Sequence, residues 1–343
     1  MKRFKSRVMN FLKNFLGSYG YEVIPRSLLY DWQKTKQEIE LYSKKLLAKD
    51  SEVYLQNSNP RLIELKEKYK TFDSDVTAPL VWTENWVNAD EIKYFRSDNA
   101  YVWQLRGRDM NILSYSLAAY YVKSIDRLGL LDKLVEDYYF GIITFKIDNK
   151  VMSRDLIDSI IEIYYLEKHL GLSSIQDLKI LDIGAGYGRL AHRMLNAFPN
   201  IHSYFCTDAF APSTFISEYY IRYRNLENKA HVIPLYDIEK TLSSEKIDIA
   251  INIHSFSECK ISAIEWWLHL LEKNRVKYLM IVPNVVIKGS SALITNDSKD
   301  FQYIIKNHGY KLIAKEPKYS DPIVQEYAAN PSYHYLFELE NYE

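Results

Sequence analysis

The fold is decided by the stretch Lys179-Ile180-Leu181-Asp182-Ile183-Gly184-Ala185-Gly186-Tyr187-Gly188-Arg189-Leu190. Its apolar first half predicts a short buried strand, and the glycines that follow predict a tight turn. Apolar residues at helical spacing continue from Leu190, so we expect a helix directly after the turn. Glycine permits positive φ and close approach to a ligand, and a helix N-terminus presents N–H groups that lack intrahelical partners. The stretch therefore predicts a ligand cradle.

The spacing of the glycines indicates which ligand the turn accepts. Gly184, Gly186 and Gly188 form G-x-G-x-G, and Asp182 stands two residues before the first of them. A dinucleotide-binding turn has G-x-G-x-x-G instead, which disfavours an NAD-dependent oxidoreductase. The pattern resembles the first motif of class I S-adenosylmethionine-dependent methyltransferases. That resemblance implies S-adenosyl-L-methionine as the cofactor.

Strand and helix patterns alternate after the turn, which is typical of a parallel sheet with right-handed crossovers. Later strands are predicted at 202–206, 231–235, 247–253 and 278–282, and an antiparallel hairpin at 310–314 and 333–339. The resemblance implies an α/β fold of the Rossmann-like class I methyltransferase type, with seven strands, over residues 151–343. A mostly helical accessory or substrate-cap region is predicted over 1–150, with helices at 27–56, 61–70 and 111–131. A further helix is predicted to begin near Ser153.

Polar residues follow four of the predicted strands, and ligands of open α/β sheets bind at the carboxyl ends of strands. By the resemblance, the glycines approach the methionine moiety, and Asp182 holds the turn or the amino group. Asp208 lies about twenty residues beyond the turn, where an acid binds ribose, and Tyr236 and Asp237 would flank adenine. A helix N-cap is the alternative for both Asp208 and Asp237. The predicted cofactor-binding residues are Asp182, Gly184, Ala185, Gly186, Gly188, Asp208, Ala209, Tyr236, Asp237 and Asn252.

The segment His254-Ser255-Phe256-Ser257-Glu258 follows the fourth strand of this series and carries the predicted catalytic residues. Methyl transfer from a sulfonium requires an aligned acceptor oxygen, and a base assists a hydroxyl acceptor. His254 is the predicted base, because neutral imidazole is available at pH 7. Glu258 would orient His254, bind a hydroxyl or act as the base itself. The alternative for His254 is a structural histidine bonded to backbone.

The same segment, together with Trp266-Trp267, resembles the bacterial sugar O-methyltransferases that are encoded with surface-polysaccharide and glycan biosynthesis genes. The runs 94–104 and 20–25 are also similar to that family. Aromatic faces beside hydrogen-bonding groups suit a sugar, although an irregular cap packed on the next helices would have the same composition. The predicted acceptor-binding residues are Arg96, Asp98, Asn99, Trp103, Gln104 and Ser257.

Composition limits the partners. Equal numbers of basic and acidic residues, 44 each, give no global field for nucleic acid. Cys206 and Cys259 lack metal-type spacing and suit a reducing cytoplasm. No metal is predicted. No run reaches the roughly 18 apolar residues of a membrane span. Residues 1–16 predict a basic amphipathic helix, which would lie on the inner membrane surface or dock on the protein itself or on a second subunit of a homodimer.

The sequence thus predicts an S-adenosylmethionine-dependent O-methyltransferase that acts on a sugar hydroxyl in bacterial glycan or surface-polysaccharide biosynthesis. Two alternatives stay open, because the fold does not fix the acceptor. One is a methyltransferase of another small polar molecule, and the other is a cofactor-binding scaffold without turnover.

Overall fold

The computed structural model describes residues 12, 15–19, 45–72, 74–77, 80–82, 89–99, 101, 111–284 and 292–340. The chain divides into two compact units, Met1–Tyr42 and Ser43–Glu343. Most of the predicted amphipathic helix and most of the helix predicted over 27–56 lie outside the described residues. The domain boundary at residue 150 stays a prediction.

Short elements precede the main sheet. They are α1 (Ser51–Tyr54), α2 (Pro60–Lys70), α3 (Ser74–Thr77), α4 (Ala89–Lys93), α5 (Ile112–Ile125), α6 (Leu130–Lys133), β1 (Phe145–Ile147) and β2 (Lys150–Met152). Helix α2 confirms the helix predicted over 61–70. The helix predicted over 111–131 was too long, because the Asp126 carboxylate accepts the N–H groups of Leu130 and Leu131 and so begins α6.

One seven-stranded sheet and its helices make up the rest of the described chain. The elements are α7 (Arg154–Leu170), β3 (Leu178–Ile183), α8 (Arg189–Ala197), β4 (Ile201–Asp208), α9 (Ala211–Tyr223), β5 (Ala230–Pro234), α10 (Ile238–Ser244), β6 (Ile249–Ile253), α11 (Ser255–Glu258), α12 (Ile261–Lys273), β7 (Tyr278–Val282), α13 (Gln302–Asn307), β8 (Tyr310–Pro317), α14 (Pro322–Tyr327) and β9 (Tyr333–Leu339). Strand order is β5-β4-β3-β6-β7-β9-β8. Strands β3 to β7 pair in parallel, and β9 runs antiparallel to both β7 and β8. The predicted class I methyltransferase fold is confirmed.

The central strands β3, β6 and β7 are buried on both faces, because successive side chains of a strand point to opposite sides and helices cover each side. Ile180 belongs to the core that includes residues of α7 and α8, whereas its neighbour Leu181 belongs to the core that includes residues of α9 and α12. Leu62 and Leu65 of α2 join the second core. The accessory helix therefore shares its hydrophobic burial with the sheet.

A buried ion-pair network connects the segment after α4 with α8. The Arg96 guanidinium, which is fully buried, contacts Glu136 Oε1 and Asp137 Oδ1, each at 2.7 Å. Arg193 of α8 contacts the second oxygen of Glu136 at 2.8 Å. Burial by itself raises the pKa of Glu136, but the charges of Arg193 and Arg96 outweigh it and hold that pKa well below its ordinary value. The network is thus charge-compensated as long as both arginines are present.

We expect Arg96→Ala to lower the free energy of unfolding by about 3–5 kcal/mol, because it leaves a buried carboxylate short of one partner. Arg61→Ala is the control, since Arg61 pairs with Glu218 at a partly exposed position, and it should cost about 1 kcal/mol or less. Urea denaturation measures both variants. Equal losses would contradict the assigned role of the buried network.

Candidate functional site

The glycine turn is shaped by its contact with the end of the neighbouring strand. The N–H groups of Gly184 and Ala185 both donate to the Thr207 carbonyl, at 2.9 and 3.1 Å. Gly184 has φ +74°, and a Cβ added there would lie 2.3 Å from the Ser255 side chain, so only glycine fits. At Gly186, with φ +57°, a Cβ would meet nothing within 4 Å. Open space therefore borders the turn at its second glycine.

Asp208 lies beside that open space at the end of β4. Its carboxylate accepts the N–H of Gly186 at 3.1 Å and the N–H of Phe210 at 2.9 Å. Burial raises the pKa of Asp208 to about 7, the two N–H donors oppose the rise, and the charge of Glu258 adds to it. Helix α9 has no side-chain cap, so the N-cap alternative for Asp208 is not seen. The geometry fits a carboxylate that accepts ribose hydroxyls next to the turn.

The end of β5 carries the residues predicted at adenine. Lys68 of α2 places its Nζ 4.7 Å from the centre of the Tyr236 ring, and Tyr69 meets that ring edge-on at 6.1 Å. Asp237 is exposed at the N-cap position of α10, without a capping hydrogen bond from its side chain. Ala185 and Ala209 are half-buried along the same edge.

Tyr69 is a site residue that the sequence reasoning missed. Its hydroxyl accepts the N–H of Leu235 at 2.9 Å, lies 2.9 Å from Thr214 Oγ1 and lies 3.2 Å from the carbonyl oxygen of Asp208. One hydroxyl of the accessory helix thus ties the ends of β4 and β5 together. A tyrosine on the apolar face of a helix gives no sequence signal for such a role.

Asp182 and Asn252 lie beneath the turn and are buried. Asp182 accepts the hydroxyl of Tyr204 at 2.9 Å, and burial raises the pKa of Asp182 to about 7. Asn252 donates to the Ile183 carbonyl and accepts the N–H of Phe256, each at 2.9 Å. Asn252 therefore connects the end of β3 to α11 and uses both ends of its amide to do so.

His254 stands at the end of β6, with φ +67° and its N–H donating to the Val282 carbonyl at 2.7 Å. Its Nδ1 is buried and has no hydrogen-bond partner among the residues that the structure describes. Burial, with the charges of Arg154, Arg189 and Lys318, lowers the pKa of His254 to about 3, while Asp158 opposes them. The ring is therefore neutral at pH 7 and has a lone pair that can take a proton.

Glu258 forms hydrogen bonds with Trp82 and Asn284, whereas the sequence predicted a contact with His254. Its Oε2 accepts the indole N–H of Trp82 at 2.5 Å and its Oε1 accepts the Asn284 amide at 2.8 Å. Among the described residues no hydrogen bond joins Glu258 to His254, so the predicted orienting role of Glu258 is not seen. Burial raises the pKa of Glu258, and the Trp82 and Asn284 hydrogen bonds oppose the rise. Ser257 is buried, and its Oγ accepts the N–H of Asn284 at 3.0 Å.

Three aromatic rings, those of Trp82, Tyr101 and Phe210, form an aromatic wall beside Glu258 and Asp208. The Trp82 ring lies 5.2 Å from Tyr101 and 5.4 Å from Phe210, which follows Asp208 by two residues. The richness of this part of the sequence in aromatic residues was the available signal, but the pairing of Trp82 with Glu258 spans 176 residues and was not foreseen.

The predicted acceptor residues do not form one group. Arg96 belongs to the buried ion-pair network, and Asn99 holds a turn by donating to the Tyr94 carbonyl at 2.8 Å and accepting the N–H of Tyr101 at 2.9 Å. Asp98 is half-buried near them. Trp103 and Gln104 lie outside the described residues.

No family model matches the chain, and no curated protein matches it. Solved structures that it resembles include precorrin-6y C5,15-methyltransferase of Geobacter metallireducens GS-15, at 14% identity and TM-score 0.37, over 57% of this chain and 94% of that one. Mitomycin 7-O-methyltransferase is 14% identical, with TM-score 0.36, over 54% and 57%. M. capricolum TrmK, solved with S-adenosylhomocysteine, is 13% identical, with TM-score 0.32, over 50% and 66%.

These low values carry no conclusion about activity, so the assignment rests on the strand order and the glycine turn of this chain. Within the described ranges, we find no helix with the length and hydrophobicity needed to cross a bilayer. The chain has the fold of class I methyltransferases, whose cofactor is S-adenosylmethionine.

Removing the Tyr69 hydroxyl tests its link to the cofactor edge. Tyr69→Phe leaves the N–H of Leu235 unpaired, and we expect about tenfold weaker binding of S-adenosylhomocysteine, equivalent to about 1.4 kcal/mol. Tyr310→Phe is the matched control, because its buried hydroxyl donates to the Val276 carbonyl at the opposite edge. Calorimetric titration of both variants measures the affinity. Unchanged affinity in Tyr69→Phe would refute the link.

The raised pKa of Asp208 predicts that the free energy of unfolding and the affinity for S-adenosylhomocysteine respond to pH in opposite directions. Between pH 8 and pH 5 the ligand-free fold binds protons at Asp182 and Asp208 that the unfolded chain does not bind until about pH 4. The free energy of unfolding of the ligand-free protein should therefore receive a stabilising contribution as the pH falls through 7. Affinity for S-adenosylhomocysteine should fall over the same range, because ribose binding needs an ionised Asp208.

Asp208→Asn should remove the pH dependence of the affinity and weaken that of the free energy of unfolding, because asparagine does not titrate while Asp182 still does. Urea denaturation and calorimetric titration from pH 5.5 to 8.5 compare the variant with the wild type. Parallel pH slopes in the two proteins would show that Asp208 is not the responsible group.

Proposed function

We propose that the chain is an S-adenosylmethionine-dependent O-methyltransferase that acts on a sugar hydroxyl in bacterial glycan or surface-polysaccharide biosynthesis. The observation that carries the proposal is the juxtaposition of two strand ends. Asp208 and the glycine turn form a cofactor cradle at β4 and β3, and His254 lies at the end of the adjacent strand β6.

The residues present fit the cofactor. The glycine turn is open at Gly186, the N-terminus of α8 has no side-chain cap, and Asp208 turns its carboxylate toward the turn. The uncapped helix end offers N–H groups to the carboxylate of a methionine moiety. The bound cofactor would supply an activated methyl group, so the protein has to align the acceptor and accept its proton.

Two groups of the chain can accept that proton. His254 is neutral throughout the physiological pH range and has an unpaired Nδ1. Glu258 has a raised pKa and lies beside the aromatic wall. Rings that stack on C–H faces, next to a carboxylate that binds hydroxyls, support a sugar acceptor, as does the sequence resemblance.

The alternatives are another small polar acceptor and a scaffold without turnover. The buried, unpaired Nδ1 of His254 favours an enzyme over a scaffold, because an unsatisfied buried polar atom costs stability and a catalytic role is one reason for retaining it. Cytoplasmic location, a homodimer, the absence of a nucleic-acid partner and membrane contact through residues 1–16 stay predictions from the sequence.

The test is transfer of labelled methyl from S-adenosylmethionine to a panel of free and nucleotide-linked sugars. We expect His254→Ala to lower kcat by about a hundredfold or more while affinity for S-adenosylhomocysteine is retained. His202→Ala is the control, since that histidine is exposed at the amino end of β4. Binding of the cofactor without transfer to any sugar would favour another acceptor, and failure to bind it would favour the scaffold.

The pH profile of kcat separates the two candidate bases. A histidine with a pKa of about 3 stays neutral, so a His254 base predicts no loss of activity between pH 8 and pH 5. A Glu258 base must be ionised. Because its pKa is raised, kcat should begin to fall on acidification at a pH above the ordinary glutamate pKa of about 4.3. Glu258→Gln would abolish activity only in the second case.

A further inference from the structure

We propose that His269, Glu272 and His308 form a zinc-binding site, separate from the methyl-transfer site. One ligand atom of each residue can be chosen so that all three atoms lie within 4.8 Å of one another. His308 Nδ1 and Glu272 Oε2 are 2.7 Å apart. Among the residues that the structure describes, this is the group of histidines, cysteines and acids found close enough to hold an ion.

The site is built by local secondary structure. His269 and Glu272 are three residues apart on α12, so their side chains lie on one face of that helix. His308 follows α13 directly and caps its C-terminus, with its N–H donating to the Ile304 carbonyl at 3.1 Å. Local backbone geometry thus places Glu272 and His308 at the C-terminal ends of their helices and His269 almost one turn before Glu272.

The topology places this group at the opposite edge of the sheet from the glycine turn. Helix α12 returns from the carboxyl end of β6 to the amino end of β7, and His308 precedes β8 by two residues. Strands β7 and β8 both pair antiparallel with β9 and begin opposite Glu338 and Leu339. A bound ion would therefore join the segments that enter the two strands on either side of β9, without contact to the cofactor cradle.

The donor set selects the metal class. Two imidazoles and one carboxylate suit Zn²⁺, whereas Mg²⁺ and Ca²⁺ prefer oxygen ligands throughout. Three protein ligands with water in the fourth position form an open tetrahedral site. Ligand bonds of about 2.0–2.2 Å require donor atoms roughly 3.3–3.6 Å apart, so only sub-ångström to ångström shifts are needed. His269 and Glu272 are exposed and can make these shifts.

A simple histidine–glutamate hydrogen bond is the competing explanation, and the chain supplies its own comparison. His169 Nε2 lies 3.1 Å from Glu316 Oε1, at a partly exposed surface, and no metal-binding group of three is found there among the described residues. If the pair alone bound zinc, both places would do so. If a third ligand is required, only the cluster of His269, Glu272 and His308 would bind zinc.

The experiment uses the full chain, freed of metal with a chelator and titrated with Zn²⁺, and with Co²⁺ for its d–d absorption. We expect one zinc per chain, a tetrahedral Co²⁺ spectrum, and a rise in Tm with Zn²⁺ because the ion binds only the folded state. His269→Ala and His308→Ala should lose the cobalt spectrum and weaken zinc binding by more than the roughly 10–100-fold expected for loss of an outer-shell partner. His169→Ala should behave like the wild type.

An unchanged far-ultraviolet circular dichroism spectrum and a cooperative thermal transition show that each variant is folded. Absence of saturable zinc binding to the wild type, or equal binding by the wild type and His308→Ala, would overturn the proposal. Loss of binding in His169→Ala as well would point to the simple histidine–glutamate pair and overturn it too.

Discussion

The candidate site depends on the hydrogen bonds between the glycine turn and the end of β4. The Thr207 carbonyl accepts two N–H groups of the turn, and the Asp208 carboxylate accepts a third. These bonds fix the conformation of the turn, so that the backbone at Gly186 borders open space. The parallel register brings the other polar strand ends to the same edge, because Asp182 lies opposite Cys206 and Asp208 opposite Pro234.

Much of the fold could be predicted because its signals are local. The central strands β3, β6 and β7 have mostly apolar sequences, as strands buried on both faces do. Glycines marked the turn after β3 and the end of α7, where Gly171 has φ +64°. The helix predicted over 111–131 failed through a local competition, in which the Asp126 side chain began a new helix. The hairpin of β1 and β2 was missed because each strand has only three residues.

The site itself was less predictable, because its contacts join distant parts of the chain. Arg96 is predicted from the sequence to bind the acceptor, yet in the structure it pairs with Glu136 and Asp137 in the interior. Trp82 meets Glu258, and Tyr69 meets Leu235, through hydrogen bonds that periodicity cannot indicate. The roles of the cofactor residues stay predictions, although the turn, Asp208 and Tyr236 do meet at one edge of the sheet.

The hydroxyl of Tyr69 has a consequence for engineering. Helix α2 precedes the sheet by more than a hundred residues, yet it supplies part of the wall at the ends of β4 and β5. Its apolar residues Leu62 and Leu65 also share the core that contains Phe215 of α9. If the proposed function holds, a chimera that exchanged the accessory segment to change the acceptor would also alter the proposed cofactor edge. Acceptor and donor specificity could then not be exchanged as independent modules.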